Sequence, residues 1–181
     1  MLRPAGIVAA VLALAGCGGG DGGRLPAGAL PPGPAVLRVS SPAFRDGGAL
    51  PRRFGCDGAG DEPAIVTGRL PARARELALV VTDPDAPGGT FVHLTRYGLH
   101  PQAAGGPLPR SGHDGRDSAG KDGWTAPCPP EGDDAHRYRF TVYALRARSG
   151  LGAGAAPAAV TAAIRKAGVL ARGTTTAHYA R

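Results

Sequence analysis

The stretch "ELALVVTDPDAPGGTFVH", residues 76–93, combines a strand pattern with a turn stiffened by proline. Its first seven residues are apolar and β-branched, which is typical of a buried strand. Each of the two prolines that follow fixes its own φ and pushes the preceding residue towards extended geometry, so the segment is not helical. Asp83 and Asp85 therefore lie on a rigid turn at a strand end, where functional side chains are common. For "DPD" alone, a turn whose aspartates bond their own backbone is the simpler interpretation.

The strand pattern continues on both sides of this turn. Residues 35–40, "AVLRVS", form a short alternating strand, and residues 91–99 and 136–145 form longer ones. Period-two alternation places sets of side chains on one face of each longer strand. These sets are Phe91, His93, Thr95 and Tyr97 in the first strand and His136, Tyr138, Phe140 and Val142 in the second.

One helix is predicted near the end of the chain. Pro157 suits a first helical turn, and apolar residues then recur at helical spacing until Gly173. The apolar residues are Val160, Ile164, Ala167 and Leu170/Ala171. Residues 101–135, rich in Gly, Pro, Asp and Ser, form a long loop that is either functional or disordered. Strands, turn-rich loops and one late helix together predict a mainly β, antiparallel sandwich-like domain.

Length and composition are those of one globular domain. The chain has 181 residues, of which 43% are hydrophobic and 19% charged. The formal net charge is +7, but the basic residues form no dense cluster and no aromatic-interleaved stripe. Binding of nucleic acid is therefore not predicted.

The N-terminus has the pattern of an export signal. Residues 1–16 contain an early arginine and an apolar run too short to span a bilayer permanently. The run ends in "LAGC", residues 14–17, which resembles the bacterial lipobox. We therefore expect cleavage before Cys17, attachment of a diacylglyceryl group to its thiol with palmitate among the acyl chains, and anchoring on the extracytoplasmic face of the cell membrane. An ordinary signal peptide that happens to contain a cysteine is the alternative.

The chain after the signal peptide divides into a tether and a domain. Residues 17–35 are rich in Gly and Pro without periodicity, and the domain is predicted over residues 36–181. With Cys17 lipidated, Cys56 and Cys128 remain as an even pair in an exported protein. They form either a disulfide or two buried thiols.

Five polar side chains are candidates for a binding site: Asp83, Asp85, His93, His136 and Tyr138. If their strands are neighbours, two imidazoles, two carboxylates and a phenol line one cavity. A carboxylate beside a histidine fixes its tautomer and raises its pKa, so the imidazole can offer a hydrogen bond or a positive charge to an oxyanion. Each histidine taken singly is more often structural.

These elements together resemble one family, the phosphatidylethanolamine-binding proteins, in their bacterial branch labelled Raf kinase inhibitor-like. The resemblance covers residues 38–181 and rests on "CDGAGDEP", "LALVVTDPDAP", "FVH", "GWTAPCPPEGDDAHRYRFTVYAL" and "GVLARGTTTAHYAR". It implies an antiparallel β-sandwich with short flanking helices and a small anion pocket near the surface. The implied ligand-binding residues are Asp83, Asp85, His93, Pro129, His136, Tyr138 and Tyr179.

The chain departs from the family pattern at three places. Leu94 follows the pocket histidine where tryptophan is usual, and residues 62–70 lack an expected aromatic. Residues 117–120 replace a common asparagine and aromatic. These departures predict a looser apolar lining around an unchanged polar core.

The resemblance implies a non-enzymatic, lipid-anchored binding protein for phosphorylated headgroups or similar small anions. The same rim could also serve a protein partner that the chain regulates. We expect no cofactor and no metal. The alternatives are an inhibitor of a secreted protease, or a hydrolase or metal site that uses His93, His136 and Asp83. No recognisable nucleophile motif and no "HExxH" spacing supports catalysis.

Overall fold

A computed structural model describes residues 23–33 and 37–181 of the chain, and these residues form a mainly β domain. Within them lie nine strands, one α-helix and a 3₁₀ turn at Arg52–Phe54. The strands and the helix are β1 (Val39–Ser40), β2 (Gly48–Ala49), β3 (Val66–Thr67), β4 (Glu76–Asp83), β5 (Phe91–Leu99), β6 (Gly106–Pro107), β7 (His113–Asp114), β8 (His136–Leu145), α1 (Pro157–Ala167) and β9 (Val169–Tyr179).

The strands form two sheets, as a sandwich requires. The larger sheet has the order β2-β9-β8-β4-β5-β7, and the smaller has the order β1-β3-β6. Every pairing is antiparallel except that of β2 with β9. The predicted antiparallel β-sandwich with a late helix is confirmed, and the two strands that sequence patterning identified best, β4 and β8, are neighbours inside the larger sheet.

Both faces of the larger sheet are covered, so β4 is buried along its whole length. Leu79 and Val81 point into a core cluster shared with the loops and short strands of the smaller sheet. Val80 points to the opposite face, where Val160 and Ile164 of α1 pack against it. Full burial of such a side chain stabilises the fold by about 1.5–3 kcal/mol. This double coverage explains why β4 has an almost unbroken apolar sequence.

Helix α1 is shorter than its sequence pattern predicts. Pro157 occupies the first turn as expected, but the helix ends at Ala167. Gly168 follows with φ +79°, a left-handed conformation that glycine adopts without strain. Leu170 and Ala171, which continued the helical spacing, belong to β9. Gly173 lies inside that strand, where a side chain would collide with the carbonyl oxygen of Leu37.

Part of the predicted tether packs onto the domain. Leu25 is only 3% exposed, and its backbone N–H donates to the carbonyl of Thr90 over 3.1 Å. Arg165 of α1 also donates to the carbonyl of Ala29 over 3.1 Å. The packed structure thus includes residues 23–33, which composition alone assigned to the tether, because one leucine finds an apolar site.

The predicted signal peptide and Cys17 lie outside the described residues. Within the described ranges, no helix is both long and apolar enough to span a bilayer.

The long loop of residues 101–135 is ordered by short strands and by one buried carboxylate. It contains β6 and β7. Asp117, 1% exposed, accepts hydrogen bonds from the N–H groups of Ala119 and Lys121, each over 2.8 Å, and from the hydroxyl of Thr125 over 2.6 Å. These bonds fix the segment that leads into one wall of the site.

Candidate functional site

A cavity of about 240 Å³ lies where β4, β5 and β8 meet the loop that precedes β8. The antiparallel register brings these elements together, because Asp83 at the end of β4 pairs with Phe91 at the start of β5. Thr82 pairs with Arg139 of β8 on the other side. Five of the predicted site residues line this cavity: Asp83, His93, Pro129, His136 and Tyr138.

Asp83 and His136 form the polar floor of the cavity. The Nδ1 atom of His136 lies 2.7 Å from Oδ2 of Asp83, and both residues are nearly buried, at 6% and 3% exposure. The other carboxylate oxygen of Asp83 accepts the backbone N–H of Asp85 over 2.8 Å. One carboxylate therefore serves as a turn-forming aspartate and as the partner that orients a histidine. Both interpretations of "DPD", a turn bonded to its own backbone and part of a binding site, therefore apply to Asp83.

His93 enters the cavity through a break in strand register. Val81 pairs with Leu94 while Thr82 pairs with Val92, so His93 has no residue opposite it in β4. Such a bulge re-aims a side chain. It also breaks the predicted alternation in β5. Tyr97 belongs to the core cluster on the α1 side of the sheet, whereas Phe91 and His93 lie together with ring centroids 4.7 Å apart.

The tautomer of His93 follows from its partner. Its Nδ1 lies 2.8 Å from the carbonyl oxygen of Thr125, which can only accept, so Nδ1 carries the proton. Its Nε2 is buried and has no hydrogen-bond partner within residues 23–33 and 37–181. Burial lowers the pKa of this imidazole below its usual value, although the Thr125 carbonyl and the charges of Asp83 and Asp117 oppose the shift. The free protein thus holds His93 neutral at pH 7, with Nε2 unused.

Tyr138 closes the back of the cavity. Its ring meets that of His93 edge-on, with centroids 5.2 Å apart. Burial, followed by the negative charge of Asp83, raises the pKa of this phenol far above its usual value. Tyr138 is therefore a neutral hydroxyl, able to donate as well as accept.

Two of the predicted ligand-binding residues lie elsewhere. Asp85 points away from the cavity and pairs with Arg137, whose hydrogen bond holds the pKa of the carboxyl down at about 2. Tyr179 lines a separate hollow, where its hydroxyl donates to Asp57 over 3.0 Å. Asp85 ties the turn to β8, because it also accepts the backbone N–H of Arg137 over 2.8 Å. Neither residue faces the cavity.

The outer wall of the cavity is fixed covalently. Cys56 and Cys128 form a disulfide with a Cα–Cα distance of 5.3 Å, the first of the two states that the sequence left open. Cys128 and the adjacent Pro129 line the cavity. The N–H of Cys56 also donates to the carbonyl of Pro127 over 2.9 Å. The bridge therefore holds the proline-rich wall to the loop that follows the 3₁₀ turn.

Departures from the family pattern affect the cavity less than expected. Leu94 is fully buried in the core cluster of the smaller sheet and does not line the cavity. The apolar lining comes from Phe91, Pro87, Pro129 and Pro130. Asp117 contributes to the cavity indirectly. It accepts a hydrogen bond from the hydroxyl of Thr125, and the carbonyl of Thr125 bonds to Nδ1 of His93.

Sequence reasoning missed Arg24, Thr125 and Phe91 as lining residues. Thr125 and Phe91 stand inside quoted motifs, next to residues that were identified. Arg24 is a lone cation in a Gly/Pro-rich segment, and nothing in the sequence marks it. Within the described residues, no group of three or more His, Cys, Asp or Glu side chains is placed to hold a metal ion.

Comparison with known proteins agrees with this architecture. The chain matches the family model described as phosphatidylethanolamine-binding protein over residues 40–180. It is 43% identical over 159 residues to a Mycobacterium tuberculosis protein named "Putative lipoprotein LppC", an alignment that covers 80% of this chain and 78% of the relative.

Solved structures show the same fold. A Chlamydia trachomatis structure, described as a homologue of phosphatidylethanolamine-binding protein, aligns with a TM-score of 0.73 and 28% identity over 81% of this chain and 98% of its own. Escherichia coli YbcL, described as a member of the mammalian family, aligns with a TM-score of 0.72 and 26% identity, over 81% of this chain and 99% of its own. The chain belongs to the phosphatidylethanolamine-binding protein family.

Proposed function

We propose that the chain is a lipid-anchored binding protein on the extracytoplasmic face of the membrane, whose cavity takes a phosphorylated headgroup or a similar small anion. The lipobox at residues 14–17 supports the anchor, as does the similarity to a protein named as a lipoprotein. Membership of the family supports a binding role.

The observation that carries the proposal is a pair of buried imidazoles that line one small cavity. Asp83 engages Nδ1 of His136, and the Thr125 carbonyl engages Nδ1 of His93. Within the described residues, Nε2 of His93 therefore has no partner, and Nε2 of His136 makes no hydrogen bond but lies 3.7 Å from Oδ2 of the half-exposed Asp133. When Nε2 is protonated it can donate to a phosphoryl oxygen, and a charge-assisted hydrogen bond contributes about 1.5–3 kcal/mol.

The size of the cavity favours a headgroup over a whole lipid. Its volume of about 240 Å³ lies below the range usual for sites that enclose drug-sized ligands. Proline rings and Phe91 form its apolar sides, which suits a short carbon chain beside a phosphate. A phosphoryl group with a small substituent is therefore the ligand class that we propose.

Binding should take up protons. Burial lowers the pKa of His93, so the free ring is neutral, whereas an anion in the cavity stabilises the imidazolium. Affinity for a phosphomonoester should therefore rise as pH falls from 8 towards 6.5, which is above the pH of about 6 at which the phosphate itself gains a proton.

Two features favour binding over catalysis. Cys128, the cysteine that lines the cavity, is in a disulfide, and the hydroxyl of Thr125 donates to Asp117 over 2.6 Å. Neither is placed as an activated nucleophile. Asp83 does orient His136 as the carboxylate of a catalytic triad orients its general base, so an assay of phosphomonoester hydrolysis tests catalysis directly.

Calorimetric titration tests the binding role. The full chain carrying Cys17→Ser is titrated with inorganic phosphate and with phosphoethanolamine at pH 6.5 and pH 8, and we expect phosphoethanolamine to bind more tightly at the lower pH. Hydrolysis of a phosphomonoester is assayed in parallel, with and without a chelator. If neither phosphate nor phosphoethanolamine binds, the proposal is contradicted. If the chain hydrolyses the phosphomonoester and His136→Ala abolishes that activity, an enzyme is favoured instead.

Membrane partition tests the anchor separately. Cys17→Ser should remove the acyl label and leave an unprocessed or released protein in place of the lipid-anchored one. A variant that still carries the label contradicts the lipid-anchored assignment while leaving the binding role untouched.

A further inference from the structure

The N-terminal segment brings a cation to the mouth of the cavity. Arg24 lines the cavity, and its guanidinium lies 5.2 Å from the ring centroid of Phe91, another lining residue. Its Nη1 donates to the carbonyl of Gly89 over 3.1 Å. The residue is exposed, and a guanidinium has five N–H donors, so this contact leaves the group able to bind a ligand.

Bonds on both sides of Arg24 hold its backbone in place. Ser118 donates through its hydroxyl to the carbonyl of Gly23 over 3.0 Å and accepts the N–H of Val92 over 2.8 Å. On the other side Leu25 is buried and bonded to Thr90. The approach at Gly23 is close, because a Cβ atom there would lie 3.0 Å from Cα of Ser118. Arg24 is therefore held at a fixed place on the domain.

The charges that line the cavity indicate what the guanidinium of Arg24 can do there. Among the described lining residues, Arg24 carries the sole permanent positive charge, while Asp83 carries a negative one. His93 is neutral in the free protein. Arg137 is near in sequence to His136 but is paired with Asp85 outside the cavity. A phosphoryl group with two negative charges needs a compensating cation when it leaves water.

We propose that Arg24 is a further ligand-binding residue and that the segment of residues 23–25 is a built part of the site. This inference rests on the anion-binding function proposed above. Arg24 supplies a fixed charge at the mouth, and His93 and His136 complete the hydrogen bonds deeper in the cavity. The guanidinium can meet a phosphoryl group with two parallel N–H bonds, which a lysine cannot do.

The position of Arg24 also relates the cavity to the membrane. Arg24 follows Cys17 by seven positions. Seven residues span at most about 25 Å even when fully extended. With Cys17 acylated, the mouth of the cavity therefore stays within that distance of the bilayer surface, where lipid headgroups are the abundant phosphoryl ligands.

The test compares variants of the full chain carrying Cys17→Ser. Arg24→Ala should weaken the binding of phosphoethanolamine about five- to thirtyfold, because a charge-assisted hydrogen bond is lost at a partly exposed position. Arg24→Lys should restore part of the affinity. Arg73→Ala removes the same charge from an exposed turn far along the chain and should change the affinity less than about twofold. Thermal unfolding verifies that each variant is folded.

A second arm separates the two sources of the phosphoryl group. Binding is measured to free phosphoethanolamine and to vesicles of phosphatidylethanolamine with phosphatidylcholine vesicles as the control. Weaker binding of the free probe by Arg24→Ala supports the inference, and weaker vesicle binding in addition identifies lipid as a usable source. Loss of vesicle binding alone overturns it, since Arg24 would then act on the membrane surface.

The outcomes distinguish this inference from the proposed function. If the wild-type chain binds phosphoethanolamine and Arg24→Ala binds it equally well, the role of Arg24 is refuted and the anion site stands. If neither protein binds, both proposals fail.

Discussion

Two hollows on this domain differ in size and in how their charges are used. The larger, about 620 Å³, contains Tyr179 and Arg181, whereas the smaller, about 240 Å³, contains His93 and His136. In the larger hollow Arg181 pairs with Asp57 over 3.2 Å and with Glu131 over 2.9 Å, and Arg52 donates to the backbone carbonyl of Asp57 over 3.1 Å. In the smaller cavity, the buried Nε2 of His93 has no hydrogen-bond partner within the described residues. The unpartnered Nε2 of His93, and not the volume, therefore distinguishes the smaller cavity from the larger hollow.

The disulfide connects these two regions and its loss should have the largest effect. Cys56 adjoins Asp57 of the larger hollow, and Cys128 lines the smaller cavity. The bond joins residues 72 positions apart, so removing it through Cys56→Ser with Cys128→Ser should lower the free energy of unfolding by about 4 kcal/mol. Denaturant unfolding measures the change. A double variant as stable as the wild type would mean that the wall of the cavity is held by packing alone.

Deleting one carboxylate from each hollow tests which of the two binds the anion. Asp83→Ala leaves the Nδ1 donor of His136 without its partner, so the ring can tilt or change tautomer, and affinity for phosphoethanolamine should fall about ten- to hundredfold. Asp57→Ala removes an equal charge from the larger hollow and should leave that affinity within about twofold. Calorimetric titration of both variants with phosphoethanolamine measures the two affinities. Equal losses would indicate that general electrostatics, and not the cavity, governs binding.

The pH dependence of stability provides a smaller test. Because burial depresses the pKa of His93 in the folded state, its contribution to stability is present above the unfolded value of about 6.5 and is lost as pH falls below it. The groups that face His93 are Asp83, Asp117 and His136. His93→Asn should unfold with less pH dependence than the wild type between pH 7 and pH 5. Identical slopes in the two proteins would show that His93 is protonated without cost.

Removal of one hydroxyl from the larger hollow should have the smallest effect. Tyr179→Phe deletes the donor to Asp57, which costs about 1 kcal/mol of stability. Affinity for phosphate should not change. A tenfold loss of affinity would restore Tyr179 to the ligand-binding set that the family resemblance implied.

Structural features that depend on neighbouring residues could be predicted from the sequence. The apolar run of β4, the alternation in β8 and the proline-stiffened turn after Asp83 are properties of neighbouring residues, so these strands and the turn were predictable. That Asp83 and His136 share a cavity was implied only by the family resemblance, and the contact itself depends on the pairing of β4 with β8. The prediction for α1 was too long because Leu170 and Ala171 fit both a helical and a strand period, and only Gly168 separates them.

The parts that sequence could not supply depend on distant contacts. His93 was predicted as a site residue, but the register break against β4 that aims its side chain into the cavity is specified by no feature of residues 91–99. Tyr179 stands directly opposite His136 in the sheet, yet its hydroxyl reaches Asp57 instead. Arg24 reaches the cavity because Leu25 finds a buried site beside Thr90.

Histidine signals in nuclear magnetic resonance test the central claim most directly, because each hollow contains its own reporter. His93 and His136 line the smaller cavity, and His178 lines the larger hollow. Phosphate is titrated into the wild-type chain at several pH values while the imidazole resonances are followed. We predict that phosphate shifts the signals of His93 and His136 and raises the pKa of His93, with the signal of His178 unchanged. Shifts confined to His178 would contradict it and place the anion in the larger hollow.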